Sequence, residues 1–186
     1  MPPDNGGTGS TGSVTTGYNA NTTTVTDQAG KSRSSEVDGL GRLVKITEAP
    51  GGQAFITTYS YDALGSLTLA QQGVQQRVFT YDAISRLRTA KNPEQVNSSG
   101  TMVATVYDYD DSSNLLTRIN PNGGTVAFTY DGMNRVKMKT LSVGGSFTYA
   151  YDTAVNGKGI LASVTAIGGD GYNYDTYDAA GRVTTC

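Results

Sequence analysis

The stretch Phe79-Thr-Tyr-Asp-Ala-Ile-Ser-Arg-Leu87 decides the fold. Side chains of a β-strand point alternately to the two faces of a sheet, so Phe79 and Tyr81 share one face and Asp82 lies on the other. The residues after Asp82 predict a short turn, because an aspartate in this position accepts hydrogen bonds from backbone N–H groups ahead of it. Leu87 then begins a return strand. The stretch therefore predicts a β-hairpin with one aromatic, buried face.

The same phrase recurs along the chain. Its aspartates are separated by 20 to 28 residues, which is about two short strands and two turns. Gly-rich segments such as Asn120-Pro-Asn-Gly-Gly124 and Gly144-Gly145 predict the opposite turns. The predicted structural repeat residues are Asp38, Tyr61, Asp62, Tyr81, Asp82, Arg86, Tyr109, Asp110, Tyr130, Asp131, Arg135, Tyr151, Asp152, Tyr177, Asp178 and Arg182.

One hairpin cannot bury an aromatic face alone, whereas stacked neighbours make the core continuous. The predicted fold is therefore all-β, with tandem antiparallel hairpins forming a curled or spiralling sheet, as in part of a shell. Within each unit, Arg86 and its counterparts have two candidate roles. They pair with an aspartate, or they lie across an aromatic ring.

These phrases resemble the Rhs/YD-repeat family, whose unit reads roughly Tyr-Asp-x-x-Gly/Asn-Arg-Leu. The resemblance covers about residues 25 to 186 and includes Asp27-Gln-Ala-Gly-Lys31, Asp38-Gly-Leu-Gly-Arg-Leu43 and Asn120-Pro-Asn-Gly-Gly124. It implies a β-strip that spirals into a hollow shell. Such shells encapsulate toxin domains or form the extracellular barrel of adhesion proteins such as teneurins.

Three segments are predicted. Residues 1–12 are a flexible Gly/Ser/Thr-rich N-terminal segment, residues 13–35 a strand-prone degenerate repeat, and residues 36–186 the tandem repeat strip. The repeats are too few to close a large shell, so we expect either a piece of a longer repeat chain or self-association. Open sheet edges are the predicted contact, since an unpaired edge templates pairing with another chain.

Composition argues against several classes of function. The net charge is −2 and the cations are scattered, so no nucleic-acid interface is predicted. No apolar run is long enough to span a bilayer. Cys186 is the single cysteine, which excludes a disulfide within the chain and leaves pairing between chains open.

The sequence predicts no catalytic, cofactor-binding or metal-binding residues. The chain has no histidine, which removes the commonest general base and the commonest metal ligand. Glycine pairs fall between strand patterns rather than before a helix, so no phosphate loop is predicted. The acidic segments 108–111 and 170–175 leave a calcium site as a minor alternative.

The predicted function is that of a non-enzymatic structural protein, an extracellular or cell-surface shell or fibre segment that self-assembles by strand pairing. One alternative is an adhesin or a carbohydrate- or partner-binding module, for which Tyr172 and Tyr174 in a Gly-rich segment are the tyrosines most expected to be exposed. Another is a fragment of a toxin-encapsulating shell. The remaining tyrosines are expected mainly in the core.

Overall fold

The computed structural model describes residues 13–49 and 53–186. The predicted flexible segment 1–12 lies outside these described residues. The chain divides into two compact units, residues 1–79 and 80–186. All regular structure in the described residues is β-strand, and none of it is a helix that could serve as a membrane span.

Seven strands begin in the first unit, and β7 continues past its last residue. They are β1 (Thr15–Asn19), β2 (Thr22–Thr26), β3 (Ser32–Val37), β4 (Leu43–Ala49), β5 (Phe55–Tyr61), β6 (Leu67–Gln72) and β7 (Gln75–Tyr81). Each strand from β1 to β6 pairs antiparallel with the next one in sequence. The first unit is therefore a simple meander of hairpins.

The second unit repeats this arrangement with eight strands. They are β8 (Leu87–Lys91), β9 (Thr105–Tyr109), β10 (Leu115–Ile119), β11 (Thr125–Tyr130), β12 (Val136–Leu141), β13 (Gly145–Tyr151), β14 (Leu161–Ala166) and β15 (Gly171–Asn173). Neighbours in sequence again pair antiparallel. A separate small hairpin joins β16 (Thr176–Tyr177) and β17 (Val183–Thr185).

The predicted all-β architecture of tandem antiparallel hairpins is confirmed. Alternation along β5 shows how the sequence produces it: Thr57, Tyr59 and Tyr61 are half-buried, whereas the residues between them are exposed. Thr and Tyr suit such a pleated, half-covered surface.

The core is thin. The buried apolar side chains are Ile46, Ala90, Val126, Ala162 and Tyr177. Within the described residues no large side chain is less than 2 % exposed. Backbone ladders and side-chain contacts at the turns therefore contribute an unusually large share of what holds the hairpins together.

Because successive strands are antiparallel, alternate turns lie on opposite rims of each sheet. We call the rim that carries the Tyr-Asp phrases the Tyr-Asp rim, and the other the far rim. The Tyr-Asp rim contains the turns 38–42 and 62–66 in the first unit, and 82–86, 110–114, 131–135 and 152–160 in the second.

Candidate functional site: the Tyr-Asp rim

Five turns of the Tyr-Asp rim share one hydrogen-bonding scheme, whereas the longer loop 152–160 is closed by a bond from the Asp152 N–H to the Ile160 carbonyl (3.1 Å). In the turn that begins at Asp82, the Asp82 N–H donates to the carbonyl of Arg86 (3.0 Å), and the Ser85 N–H donates to the carbonyl of Asp82 (3.0 Å). This is a three-residue hairpin loop whose last residue has a left-handed backbone. Asp38, Asp62, Asp110, Asp131 and Asp178 begin turns with the same two bonds.

The left-handed position explains the Gly, Ser or Asn three residues after each aspartate. Its φ is +87° at Gly65 and +60° at Asn134. Glycine adopts such values without a Cβ penalty, and asparagine tolerates them better than most residues. This part of the repeated phrase therefore follows from the backbone geometry that the turn requires.

The aspartate side chain closes the turn from inside. Asp82 Oδ1 accepts from the Ile84 N–H (3.1 Å) and the Arg86 N–H (2.9 Å). Asp82 Oδ2 accepts from Arg86 Nε (2.6 Å). The same three bonds recur at the Asp38, Asp131 and Asp178 turns, the last with Arg182. In the Asp110 turn the side-chain amide of Asn114 takes the place of the guanidinium and donates to Asp110 Oδ2. In the Asp62 turn Ser66 takes the place of the arginine, and its backbone N–H donates to Asp62 Oδ1.

These bonds favour the ionised carboxylates. The backbone N–H of the residue four positions on, and the arginine side chain, hold the pKa of Asp38, Asp82, Asp131 and Asp178 below the ordinary value. For Asp110 the first cause is the Asn114 amide.

Arg42, Arg86 and Arg135 also reach the next turn along the rim. Arg86 Nη1 donates to the Asp110 carbonyl (2.6 Å), and its guanidinium lies over the Tyr109 ring at 5.0 Å from the centroid. In the first unit Arg42 lies over Tyr61 in the same way, at 4.8 Å. The two roles predicted as alternatives for the repeat arginines therefore occur together.

The tyrosines complete the connection in the reverse direction. The Tyr151 hydroxyl donates to the carbonyl of Val136 (2.9 Å), the first residue of β12, directly after the preceding rim turn. Tyr61, Tyr130 and Tyr177 donate in the same way to the carbonyls of Leu43, Leu115 and Leu161. We call this set of arginine and tyrosine contacts between successive turns the clamp.

The clamp around Arg135 is the most complete. Its guanidinium contacts Asp131 Oδ2 (2.7 Å) and both oxygens of Asp152 (3.1 and 2.7 Å), and it lies 4.3 Å from the centroid of Tyr151. The Gly159 N–H also donates to Asp152 (2.6 Å). Arg135 and this N–H lower the pKa of Asp152 to about 2. A lengthened loop, residues 152–160, is thus tied into the rim.

Every repeat tyrosine is at least half-buried. Tyr61, Tyr81, Tyr109, Tyr130 and Tyr151 are half-buried and Tyr177 is buried. Burial raises the pKa of Tyr109, Tyr130 and Tyr151. Tyr172 is 75 % exposed, whereas Tyr174, the other tyrosine expected to be exposed, is half-buried.

Several rim residues were missed from the sequence. Arg42 belongs to the same phrase as Arg86 and acts as it does, so the phrase itself was the available signal. Asn114 takes the arginine position of its own turn, and its side-chain amide donates to Asn134 Oδ1 in the next turn (2.9 Å). On the far rim, the turn predicted at Asn120 has the same backbone bonds. So do the turns at Asp27 and Asn97, where a Gly three residues later was the available signal.

Two aspartates of the first acidic segment considered for calcium, residues 108–111, have other partners. Asp108 Oδ1 accepts from Arg88 Nη1 (2.6 Å), and both Asp110 oxygens are used within its turn. Over residues 13–49 and 53–186, no group of three or more potential metal-ligating acidic or cysteine side chains comes together. The geometry of the rim is that of a repeated structural crosslink.

Comparison with proteins of known structure gives the same fold. A crystal structure of TcdB2-TccC3-Cdc42 matches with a TM-score of 0.63 and 18 % identity, over 86 % of this chain and 9 % of that one. A crystal structure of TcdB2-TccC3-TEV matches with a TM-score of 0.61 and 18 % identity, over 80 % and 9 %. The chain thus spans less than a tenth of the length of these neighbours. No curated protein matches the sequence.

The family model described as Teneurin YD-shell matches residues 9–185, nearly the whole chain. The rim geometry is in line with so long a match, because the same turn recurs at Asp38, Asp62, Asp82, Asp110, Asp131 and Asp178. The resemblance found in the Tyr-Asp phrases is therefore confirmed, and the chain belongs to the Teneurin YD-shell family.

Proposed function

We propose that this chain is a non-catalytic wall segment of an extracellular or cell-surface YD shell. The observation that supports this most is the clamp. Arg135 joins two successive turns and a ring, and Tyr151 returns a hydrogen bond to the preceding turn. The charged side chains of the repeat thereby hold successive hairpins together.

A wall one sheet thick needs such crosslinks. A hairpin pair by itself is marginally stable in water, and this sheet has few buried side chains to support it. Charge-assisted hydrogen bonds and bidentate arginine contacts are stronger and more directional than neutral ones. Repeated along a rim, they hold each hairpin in register with the next.

We further propose that copies of the chain associate by strand pairing. Every residue of β1 is exposed, and in the described part of the chain β1 pairs only with β2. The opposite side of β1 therefore offers backbone N–H and C=O groups to another strand. A head-to-tail contact of this kind builds an open filament unless it closes into a ring.

Size-exclusion chromatography with light scattering, combined with negative-stain electron microscopy, tests this association. We expect regular assemblies that survive reductant, because strand pairing does not need the exposed Cys186 thiol. Thr16→Lys with Tyr18→Lys places charge along the exposed edge strand and should prevent assembly. Thr16→Ser with Tyr18→Thr is the matched control and should assemble normally. A uniform monomer at all concentrations would contradict self-assembly and favour a segment of a larger shell.

A binding module is the second candidate, on one observation. Tyr172 is 75 % exposed and lines a groove together with Phe147, Val164 and Asp170. An exposed ring on such a groove is the kind of surface on which sugar rings stack. Binding on a glycan array that disappears with Tyr172→Ala would support an adhesive role, and an array with no binding would oppose it.

A further inference from the structure

Two cations on strands of the second unit, Arg118 and Lys139, take no part in the clamps. Arg118 is exposed and Lys139 is half-buried. Neither makes an ion pair, a hydrogen bond or a ring contact with any residue that the structure describes. The strand arginine Arg88, by contrast, pairs with Asp108 (2.6 Å). The charges of Arg118 and Lys139 are therefore available to an anion from outside the chain.

The register of the sheet places these two cations on one face. Arg118 of β10 stands opposite Val126 of β11, and Lys139 of β12 stands opposite Phe128, two residues further along β11. Cross-strand partners share a face of a sheet, and so do residues two apart in a strand. Strand spacing and rise put the Cα atoms of Arg118 and Lys139 about 12 Å apart.

Aromatic rings flank both cations on this face. Arg118 also stands opposite Tyr107 of β9, and Lys139 also stands opposite Phe147 of β13. The rings of Tyr107, Phe128 and Phe147 are half-buried. We call this surface, which consists of Tyr107, Arg118, Phe128, Lys139 and Phe147, the aromatic face. It presents two positive charges among neutral rings.

The strands β9 to β14 add no negative charge to the aromatic face. Asp108 is the only aspartate or glutamate in these six strands. It follows Tyr107 in β9, so alternation places it on the opposite face, and its partner there is Arg88. A surface with charge of one sign attracts ligands of the other sign. The aromatic face therefore favours an anionic ligand.

The aromatic face continues into the groove beside Tyr172. Phe147 belongs to both, because it lines the groove together with Val164 and Asp170. Asp170 lies in the turn before β15, and a carboxylate there accepts hydrogen bonds from hydroxyl groups. A ligand that follows the face into the groove meets first positive charge, then rings, and then an acceptor for hydroxyls.

We propose that the aromatic face binds an acidic glycan, in which carboxylates are separated by neutral sugar rings. The carboxylates pair with Arg118 and Lys139 in charge-assisted hydrogen bonds. The C–H faces of the sugar rings pack on Phe128 and Phe147, since the face of an aromatic ring carries negative charge. This proposal rests on the sugar-binding candidate function above and names its ligand class.

The pattern of charges and rings favours a sugar chain over other polyanions. A single-stranded nucleic acid is bound by a groove of cations that tracks its phosphates, and two isolated cations do not form one. An acidic peptide supplies carboxylates on flexible side chains, whose ordering costs conformational entropy. A sugar chain supplies carboxylates and apolar ring faces together.

Calorimetric titration with a hyaluronan octasaccharide tests the site, because its carboxylates alternate with neutral rings. We expect binding that weakens as salt is added, and binding of a neutral N-acetylglucosamine hexamer that is about tenfold weaker or less. Arg118→Gln and Lys139→Gln should each weaken hyaluronan binding about tenfold. Thermal unfolding of both variants should be unchanged, since neither side chain has a described partner.

Lys91→Gln is the matched control, because it removes one positive charge from the opposite face. Lys91 follows Ala90, which stands opposite Thr105, and Thr105 shares its face with Tyr107. The control should bind hyaluronan as the wild-type chain does. Equal weakening in Lys91→Gln and Arg118→Gln would assign the attraction to net charge and overturn the site.

Other outcomes separate this proposal from the function on which it rests. No binding of the hyaluronan octasaccharide would overturn the acidic ligand. If neutral glycans then bind and Tyr172→Ala abolishes that binding, the sugar-binding candidate stands without it. A glycan array with no binding at all would overturn both. Tighter binding of a polyglutamate peptide or an oligothymidylate than of hyaluronan would overturn the choice of a glycan.

Discussion

The hairpins of β1 to β3 and those of β11 to β14 have similar backbones but differ at the rim. The turn at Asp27 has the same backbone bonds as the turn at Asp131, and Asp27 Oδ1 accepts two N–H groups just as Asp131 does. In the β1–β3 region, however, Tyr18 is 80 % exposed and no residue of the three strands is buried.

The β11–β14 region adds the clamp to the same turn. Arg135 joins Asp131, Asp152 and Tyr151. Val126 of β11 and Ala162 of β14 are buried. We infer that the turn forms a hairpin, whereas the tyrosine and arginine of the clamp couple one hairpin to the next.

Tyr151→Ala should lower the free energy of unfolding of the second unit by about 3 kcal/mol. The change removes a half-buried ring, its contact with Arg135 and its hydrogen bond to the Val136 carbonyl. Tyr18→Ala, the matched change in β1, should cost less than about 0.5 kcal/mol, as is usual for an exposed site. Chemical denaturation measures both. Equal losses of stability would show that the clamp contributes nothing beyond an exposed tyrosine.

Replacing the left-handed glycine should cost the same with or without a clamp. Gly30→Ala and Gly65→Ala should each destabilise by about 1 to 2 kcal/mol, because both positions have positive φ while an added Cβ would meet no close neighbour. Gly39→Ala, at ordinary φ and in equally open space, is the control and should be nearly neutral. A much larger cost at Gly65 than at Gly30 would show that the turn and the clamp are not separate.

Tyr151→Phe isolates the hydroxyl of the clamp. It should cost about 1 kcal/mol, because the ring stays and only the bond to the Val136 carbonyl is lost. Thermal unfolding monitored by circular dichroism measures the effect, with Tyr18→Phe as the control. No change in Tyr151→Phe would assign the whole contribution of the tyrosine to its ring.

The pH dependence should come from the carboxylates, since the chain has no histidine. The folded-state pKa of Asp152 is lowered to about 2, and that of Asp131 is lowered as well. A lowered folded pKa stabilises the fold above the unfolded pKa, about 3.9, and this contribution is lost as the pH falls toward the folded pKa. Stability should therefore change little from pH 8 to 5 and fall between about pH 4 and 2.

Arg135→Gln supplies the control for that assignment. It removes the first cause of the lowered Asp152 pKa, so the loss of stability in acid should become smaller than in the wild-type chain. An acid profile that is identical in the two proteins would assign the pH dependence to other groups. The half-buried Tyr109, Tyr130 and Tyr151 have raised pKa values, so a second loss of stability is expected above about pH 10.

The local part of this structure could be predicted from the sequence. One hairpin is encoded by three features, as in Phe79–Leu87: a strand of alternating apolar residues, an aspartate at its end, and a Gly, Ser or Asn three residues later. All the interactions involved join residues that are close in sequence. The resemblance of the phrases to YD repeats could be recognised for the same reason.

The long-range part could not. Arg86 had two plausible partners, and only the fold shows that Asp82 and the ring of Tyr109 are both within reach. The acceptor of the Tyr151 hydroxyl is a backbone carbonyl, which no side-chain pattern reveals. Tyr174 was expected to be exposed together with Tyr172, but it is half-buried where its backbone bonds to Ala162.

Native-state hydrogen exchange tests the central claim most directly, namely that the clamps rather than the turns couple neighbouring hairpins. The amides of β11 to β14 should exchange slowly, with an opening free energy near that of global unfolding of their unit, whereas those of β1 and β2 should open locally at lower cost. Tyr151→Ala should bring the β13 and β14 amides toward the behaviour of β1 and β2. Equal protection of both regions in the wild-type chain, unaffected by Tyr151→Ala, would contradict the account.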